Sequence, residues 1–372
     1  MHILHTPARF YPYVGGVEKY VETLGRELVK KKHDVSVICA NEPSGNRNDH
    51  YQGIRVKRLL PIGKIANTNI TPGLPYTILS DEFDIIHTHI PTPWSADWSA
   101  IAAGITKTPL VLTYHNDIAG EGIYNSIATV YNRTLLRFVL KKAGCIIVTS
   151  PNFRTPWLTP FREKIALIPN CVDTMAFKPA PGPKIGDIFF LGVLDHYHRY
   201  KGLDYLLAAV SRIVSDIPEV KLIIGGTGAI KEYYTHLSHS LGISENVEFA
   251  GYIPDDQLIK YYNGCSMFVL PSIDPAREGF GIVLLEAMAC GRPVISTSIT
   301  GVCDDIEDQR AGIIVPPKNA AALGEAIKTI LLDKKLANEM GSAGRLLIDK
   351  KYSSVRVAQT IIAMYEQVIS QS

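Results

Sequence analysis

No apolar run in this sequence approaches the roughly 20 residues needed to cross a bilayer, so it does not read as a membrane-spanning protein. Paired cysteines are missing too. The six cysteines (Cys39, Cys145, Cys171, Cys265, Cys290, Cys303) are scattered with no Cys-x-x-Cys. That argues against a zinc site or disulfide framework and for buried, reduced thiols in a cytoplasmic protein. There is little surplus charge: a net charge of +2 argues against a nucleic-acid binder that works through a large basic field, though not against a local basic patch. Nor is there a complete dinucleotide fingerprint, because Gly15-Gly16 lacks the third glycine of G-x-G-x-x-G, which disfavours a nicotinamide dehydrogenase. Met1 to Thr6 has no basic segment running into a long apolar one, so no signal peptide is expected.

What is present is ordinary in bulk and specific in places. A chain of 372 residues, 46% hydrophobic and 20% charged, suits two globular domains better than one. The most informative stretch runs from Ser266 to Ser296. Met267 to Leu270 reads as a buried strand stopped by Pro271. Gly279-Phe280-Gly281 then leads into a helical run from Ile282 to Ala289, closed by Gly291 and Pro293, and Val294 to Ser296 begins another strand. A strand, a glycine turn and a helix with free N–H groups at its start make a site for an anion such as a phosphate. Glu278 precedes the turn, and Glu286 lies one to two turns into the helix, within reach of hydroxyls behind the phosphates.

These residues, continued by Ala287-Met288-Ala289-Cys290-Gly291-Arg292-Pro293-Val294-Ile295, resemble the nucleotide-sugar signature of the retaining GT-B glycosyltransferases, family 4 in particular. The resemblance implies that Glu278 touches the donor sugar, that Gly279, Phe280 and Gly281 bind the diphosphate through their backbone, and that Glu286 holds the ribose.

The rest of the chain alternates strands and helices. His2 to Thr6 is expected as a strand, 7–16 as a loop, Val17 to Lys30 as a helix with one apolar face, and Val35 to Cys39 as a strand. Asn41 to His50 reads as a polar connecting segment. Asp84 to His89 and Pro109 to His115 read as strands, with a helix near Trp94 to Ala103 between them. Tyr124 to Lys142 reads as one long helix. Pro and Gly concentrate from Pro169 to Pro183, which places a domain boundary there. The alternation then restarts, with a strand from Asp187 to Leu194, and ends in a helix from Val355 to Ile369. This pattern predicts an α/β protein of two doubly wound, Rossmann-like domains facing a cleft. The expected limits are 1–169 for the amino-terminal acceptor-side domain and 185–352 for the nucleotide-sugar domain. Residues 353–372 form a helix that, by the resemblance, crosses back to the first domain.

Outside the signature, Gly15-Gly16 resembles the family's amino-terminal loop over the donor phosphates. The His115 segment resembles the strand end whose histidine approaches the sugar. Lys201-Gly202 matches the lysine that neutralises the departing diphosphate, while Val193 stands where the family has arginine. Arg199 is the candidate for that missing charge, and Tyr252 falls where the family reads the base. His87-x-His89 invites a metal reading, but no third ligand stands nearby in sequence, and a hydrogen-bonded role at the strand end is favoured.

The implied activity is transfer of a hexose or N-acetylhexosamine from a nucleotide diphosphate sugar to a glycan, lipid-linked or small-molecule acceptor, with retention of configuration. His115 and Glu278 would act at the reacting centre, and no metal or other cofactor is expected, since no Asp-x-Asp is placed to hold one. Rival readings are a nucleotide-sugar epimerase or hydrolase on the same fold and a non-catalytic sugar-nucleotide binder. The basic, apolar stretch 124–142 carries two readings: a solvated helix face, or a surface helix that brings a cytoplasmic enzyme to the inner face of a membrane.

Overall fold

The computed structural model describes residues 1–13, 15–118, 122–151, 155–275 and 277–371, so position 14 of the loop expected over 7–16 lies outside the described residues. The chain divides into two compact units, Met1–Cys171 with Ser354–Ser372, and Val172–Ser353.

The first unit is built on β1 (His2–Thr6), α1 (Gly16–Lys30), β2 (Asp34–Ala40), β3 (Asn48–Tyr51), β4 (Ile54–Leu59), the small β5–β6 hairpin (Gly63–Ile65, Thr68–Ile70) and α2 (Leu74–Leu79). It continues through β7 (Ile85–Ile90), α3 (Pro93–Thr106), β8 (Leu110–Tyr114), α4 (Ile123–Arg133), α5 (Leu135–Lys142), β9 (Cys145–Val148) and β10 (Ile165–Leu167). Its sheet runs β10-β9-β8-β7-β1-β2-β4-β3, parallel except for β3. The parallel strands are covered on both faces, which is why β1, β7 and β8 are short uninterrupted buried runs and not alternating ones.

The second unit contains β11 (Gly186–Leu191), α6 (Leu203–Ile213), β12 (Leu222–Gly225), α7 (Lys231–Ser240), β13 (Val247–Gly251), α8 (Asp255–Gly264) and β14 (Cys265–Leu270). After these come α9 (Ile282–Ala289), β15 (Val294–Thr297), α10 (Cys303–Asp308), β16 (Gly312–Val315), α11 (Ala320–Leu332) and α12 (Lys334–Leu347). Its sheet is wholly parallel, in the order β13-β12-β11-β14-β15-β16. Finally α13 (Ser354–Ser370) belongs to the first unit. There Val357, Ala358, Ile361, Tyr365 and Val368 form a helical stripe in the same core as Tyr20, Val21, Leu24 and Leu28 of α1. Each large side chain fully buried in that seam contributes about 1.5–3 kcal/mol.

Three expectations are corrected. The stretch 124–142 is two helices, because Thr134 leaves the helical region (φ −119°, ψ −86°) with its hydroxyl donating to the Val130 carbonyl at 2.7 Å. A hydroxyl bonded back by four residues competes with the helical ladder and bends it. The polar segment near 41–50 ends in β3, an antiparallel edge strand whose partner β4 buries Ile54, Val56 and Arg58 and exposes Arg55 and Lys57. Arg58 disguises that alternation; it is buried because Asp49 pairs with it at 3.1 Å. The strand expected over 187–194 stops at Leu191, and Leu194 N–H donates instead to the Thr227 carbonyl beyond β12.

Apolar side chains stay exposed on α4 and α5, including Tyr124, Ile127, Val130 and Phe138. Among the described residues no helix is long and apolar enough to cross a membrane. All six cysteines are buried free thiols.

Candidate active site

In the second unit the strand order reverses between β11 and β14, and ligands in open α/β sheets bind at the carboxyl ends of strands on such a switch point. The loops after these two strands carry Lys201 and Glu278. Glu278 is 7% exposed; its Oε2 accepts from Ser272 Oγ at 2.7 Å and stands 3.5 Å from Lys201 Nζ. The loops are stitched together by the backbone. Ile273 N–H donates to the Tyr200 carbonyl at 2.8 Å. Gly202 has φ +77°, and a Cβ there would lie 2.0 Å from the Pro271 carbonyl oxygen. Only glycine permits both the left-handed conformation and that approach, so Gly202 is what lets Lys201 reach Glu278.

Past Glu278 the chain enters α9 through Gly281, at φ +87°. Phe280 turns its ring inward, 5.8 Å from the Tyr352 ring, and anchors the turn from below. The first N–H groups of α9 are the free donors of a helix start, with the positive end of its dipole. Glu286, on the second turn, is buried and its Oε2 accepts from Tyr262 OH at 2.7 Å. Burial and the neighbouring carboxylate hold the Tyr262 hydroxyl well above its usual range, so it remains a donor. Sequence reasoning missed Ser272 and Tyr262; each is a lone polar residue whose partner is fixed only by the fold.

The other expected residues are placed more loosely. Arg199 pairs with Asp204 at 3.0 Å and lies against the Tyr233 ring. Val193, standing where arginine was sought, is solvent-exposed, and Tyr252 is 63% exposed after β13. In the first unit, Gly15 caps α1, and a Cβ there would lie 2.3 Å from Glu18 Oε2, whereas Gly16 faces open space. Burial pushes the Glu18 carboxyl up to about 7.

His115 follows β8, also near a reversal of strand order, between β1 and β7. It is 7% exposed, and burial pushes its imidazole down to about 3, so the ring is neutral near pH 7. Its ring centroid lies 5.0 Å from that of Tyr20, with the two rings nearly perpendicular. His87-x-His89 has no third ligand nearby in sequence, but the fold supplies one: His5 of β1 pairs in register with His87, and the three side chains offer ligand atoms within 4.8 Å of one another. Both ring nitrogens of His87 are nevertheless engaged, Nδ1 with Tyr365 OH and Nε2 with Thr113 Oγ1. Both of His89 are engaged as well, with His5 and His115. The group is thus a hydrogen-bonded cluster in which a cation would have to displace existing bonds.

Comparison with known proteins bears on the whole chain. The family model described as "Glycosyl transferases group 1" matches residues 176–347, and "Glycosyltransferase Family 4" matches 14–175. The O-antigen chain mannosyltransferase C of Escherichia coli is 27% identical over 99% of this chain and 99% of its own. The phosphatidyl-myo-inositol mannosyltransferase of Mycobacterium leprae is 26% identical over 95% of this chain and 93% of its own. Among solved structures, sucrose-phosphate synthase from Thermosynechococcus elongatus superposes with a TM-score of 0.79 at 24% identity, covering 100% of both chains. HepE of Anabaena, in complex with UDP-glucose, gives 0.78 at 19% identity, covering 99% of this chain and 100% of its own. With both halves matched by family models and the two largely parallel sheets of a GT-B protein, the chain belongs to glycosyltransferase family 4 and is a sugar-transferring enzyme.

Proposed function

We propose that the enzyme takes its sugar, a hexose or N-acetylhexosamine, from a nucleoside diphosphate donor and passes it, with retained configuration and without a metal, to a glycan, lipid-linked or small-molecule acceptor. The observation that carries this reading is the Lys201–Glu278 pair beside the glycine turn into α9. A diphosphate leaving group gathers negative charge as the glycosidic bond stretches. Lys201 and the N–H groups of Gly279 to Gly281 are preorganised donors for that charge. Glu278 would hold sugar hydroxyls, and Glu286, steadied by Tyr262, would hold the ribose. Neutral His115 adds no positive charge of its own against the one that develops at the anomeric carbon. Arg199 enters as a second cation only by leaving Asp204, and Tyr252 is exposed for contact with the base.

Support for the donor class comes from the relatives: HepE was solved with UDP-glucose, and one relative at 27% identity is a GDP-mannose-dependent mannosyltransferase. We read α4 and α5 as a peripheral contact with an anionic membrane face, because exposed Tyr124, Val130 and Phe138 share these helices with Arg133, Arg137, Lys141 and Lys142. Failure to sediment with anionic vesicles at low salt removes that part.

The central test is incubation of purified enzyme with UDP- and GDP-sugars, with and without acceptors, following free nucleotide and product configuration. Acceptor-dependent release that survives a chelator supports the proposal. Donor consumption without acceptor, or activity lost to chelator and restored by manganese, sinks it. Arg199→Ala with undiminished turnover removes Arg199 alone.

A further inference from the structure

The first unit holds a file of three imidazoles, His5, His89 and His115, of which the proposed chemistry uses only the last. Strand geometry explains it. His87 and His89 lie two apart on β7 and therefore share one face of the sheet. His5 on β1 is in register with His87, and His115 lies two past Thr113, which is in register with His89. Tyr20 of α1 lies against His89 and His115, and Tyr365 of α13 against His87. Within this group His5 Nδ1 lies 3.2 Å from His89 Nε2, and His89 Nδ1 lies 3.3 Å from His115 Nε2. His5, at the far end, is fully buried, and its Nε2 has no hydrogen-bond partner.

A neutral imidazole carries one proton, so it donates through one nitrogen and accepts through the other. Burial keeps His5, His89 and His115 neutral. His89 must then donate to one neighbour and accept from the other. The two bonds can only run in the same sense, either both toward His115 or both toward His5. His115 cannot change tautomer unless the whole file reverses.

We infer that His89, backed by His5, is a positioning residue for sugar transfer: its bond to His115 Nε2 holds His115 in one tautomer and one ring orientation, so that His115 Nδ1 meets the donor sugar with a fixed donor or acceptor character. This rests on the reading of His115 as a residue at the sugar. Serial hydrogen bonding of this kind orients a working group much as the partners of a metal-ligating histidine orient its ring.

Two variants of like polarity separate the positioning role from a packing role. In His89→Asn the side-chain amide falls where Nδ1 was and can keep the bond to His115; in His89→Gln it falls where Nε2 was and can keep only the bond to His5. Ring-nitrogen NMR of histidine-labelled enzyme is recorded on the wild type and both variants, together with kcat and donor KM. The expected result is a single His115 tautomer in wild type and His89→Asn and an averaged one in His89→Gln. With it, kcat falls about tenfold or more in His89→Gln alone, at a donor KM within twofold of wild type. Equal behaviour of the two variants, or an unchanged His115 tautomer in His89→Gln, overturns the inference. An averaged tautomer with undiminished kcat also overturns the positioning role; if His115→Ala is then active as well, the fault lies in the reading of His115 and not in the file.

Discussion

Lys201 Nζ stands 3.5 Å from Glu278 Oε2, one residue following β11 and the other β14, at the point where the sheet of the second unit changes direction. The pair is nearly enclosed, with the two side chains 17% and 6% exposed, so each charge depends on the other and on the Ser272 hydroxyl. With a diphosphate bound, the ammonium would be shared between phosphate oxygens and Glu278.

Lys201→Met should affect both the chemistry and the fold, since it also leaves the nearly enclosed Glu278 carboxylate without its cation. Loss of one preorganised donor to a developing oxyanion costs roughly 10²–10³ in kcat, and the proposed reaction asks for an effect of that order. Steady-state kinetics at saturating donor reads it; a kcat within threefold of wild type would remove Lys201 from the transition state. Ser272→Ala leaves the ion pair in place and should cost about 1.5–3 kcal/mol in unfolding free energy, the worth of a hydrogen bond to a charged group.

Gly202→Ala tests the backbone route by which Lys201 arrives. The new Cβ would sit 2.0 Å from the Pro271 carbonyl oxygen at a residue with φ +77°, so the loop must move. A left-handed non-glycine residue costs on the order of 1–3 kcal/mol, and displacement of Lys201 should lower kcat as well. Thermal unfolding and turnover measured side by side should both drop. Gly182→Ala, where a Cβ meets nothing within 4 Å, serves as the control.

Tyr262→Phe should act on binding. It deletes the hydroxyl that donates to Glu286 at 2.7 Å and leaves the ring packed near Phe189 and Phe268. Glu286 then loses the bond that fixes its carboxylate toward the proposed ribose position. Nucleotide affinity, measured by calorimetry with UDP and GDP, should weaken about tenfold, equivalent to about 1.4 kcal/mol. Unchanged affinity for both nucleotides would place the ribose elsewhere.

How far the sequence reveals this arrangement depends on how local each feature is. The turn from Glu278 to Glu286 is written in consecutive residues, since glycine, helix run and closing Gly291-Arg292-Pro293 lie within one strand-turn-helix unit, and α9 starts beside Gly281 as expected. The apolar stripes of α1 and α13 are equally legible because helical periodicity needs no partner. What escaped is settled by distant partners. Arg58 hides the alternation of β4 until Asp49 neutralises it. His5 joins His87 only through strand register, and nothing local to Tyr262 announces Glu286. The break at Thr134 was local and still missed, since a threonine within a helix is common and its back-bonded hydroxyl is visible only in three dimensions.

Acid should loosen the protein through the buried histidines. His5 and His115 are pushed down from 6.5 to about 3, and His87 and His89 well below 6.5, in each case chiefly by burial. An unfolded chain takes up these protons near 6.5 while the folded one refuses them, so the stabilising contribution is full above pH 6.5 and is lost as the pH falls toward 3. At pH 5 a group that has moved from 6.5 to about 3 has withdrawn about 2 kcal/mol. Glu18 and Asp97, raised to about 7 and about 6 by burial, pull the other way, because the folded state binds their protons first. Four histidines against two carboxyls leave a net loss, so urea unfolding should show lower stability at pH 5 than at pH 7.5, and Glu18→Gln should steepen the decline. Stability that is flat or rising between pH 7.5 and pH 5 would mean that the histidines already carry protons in the folded state, contrary to a neutral, hydrogen-bonded file.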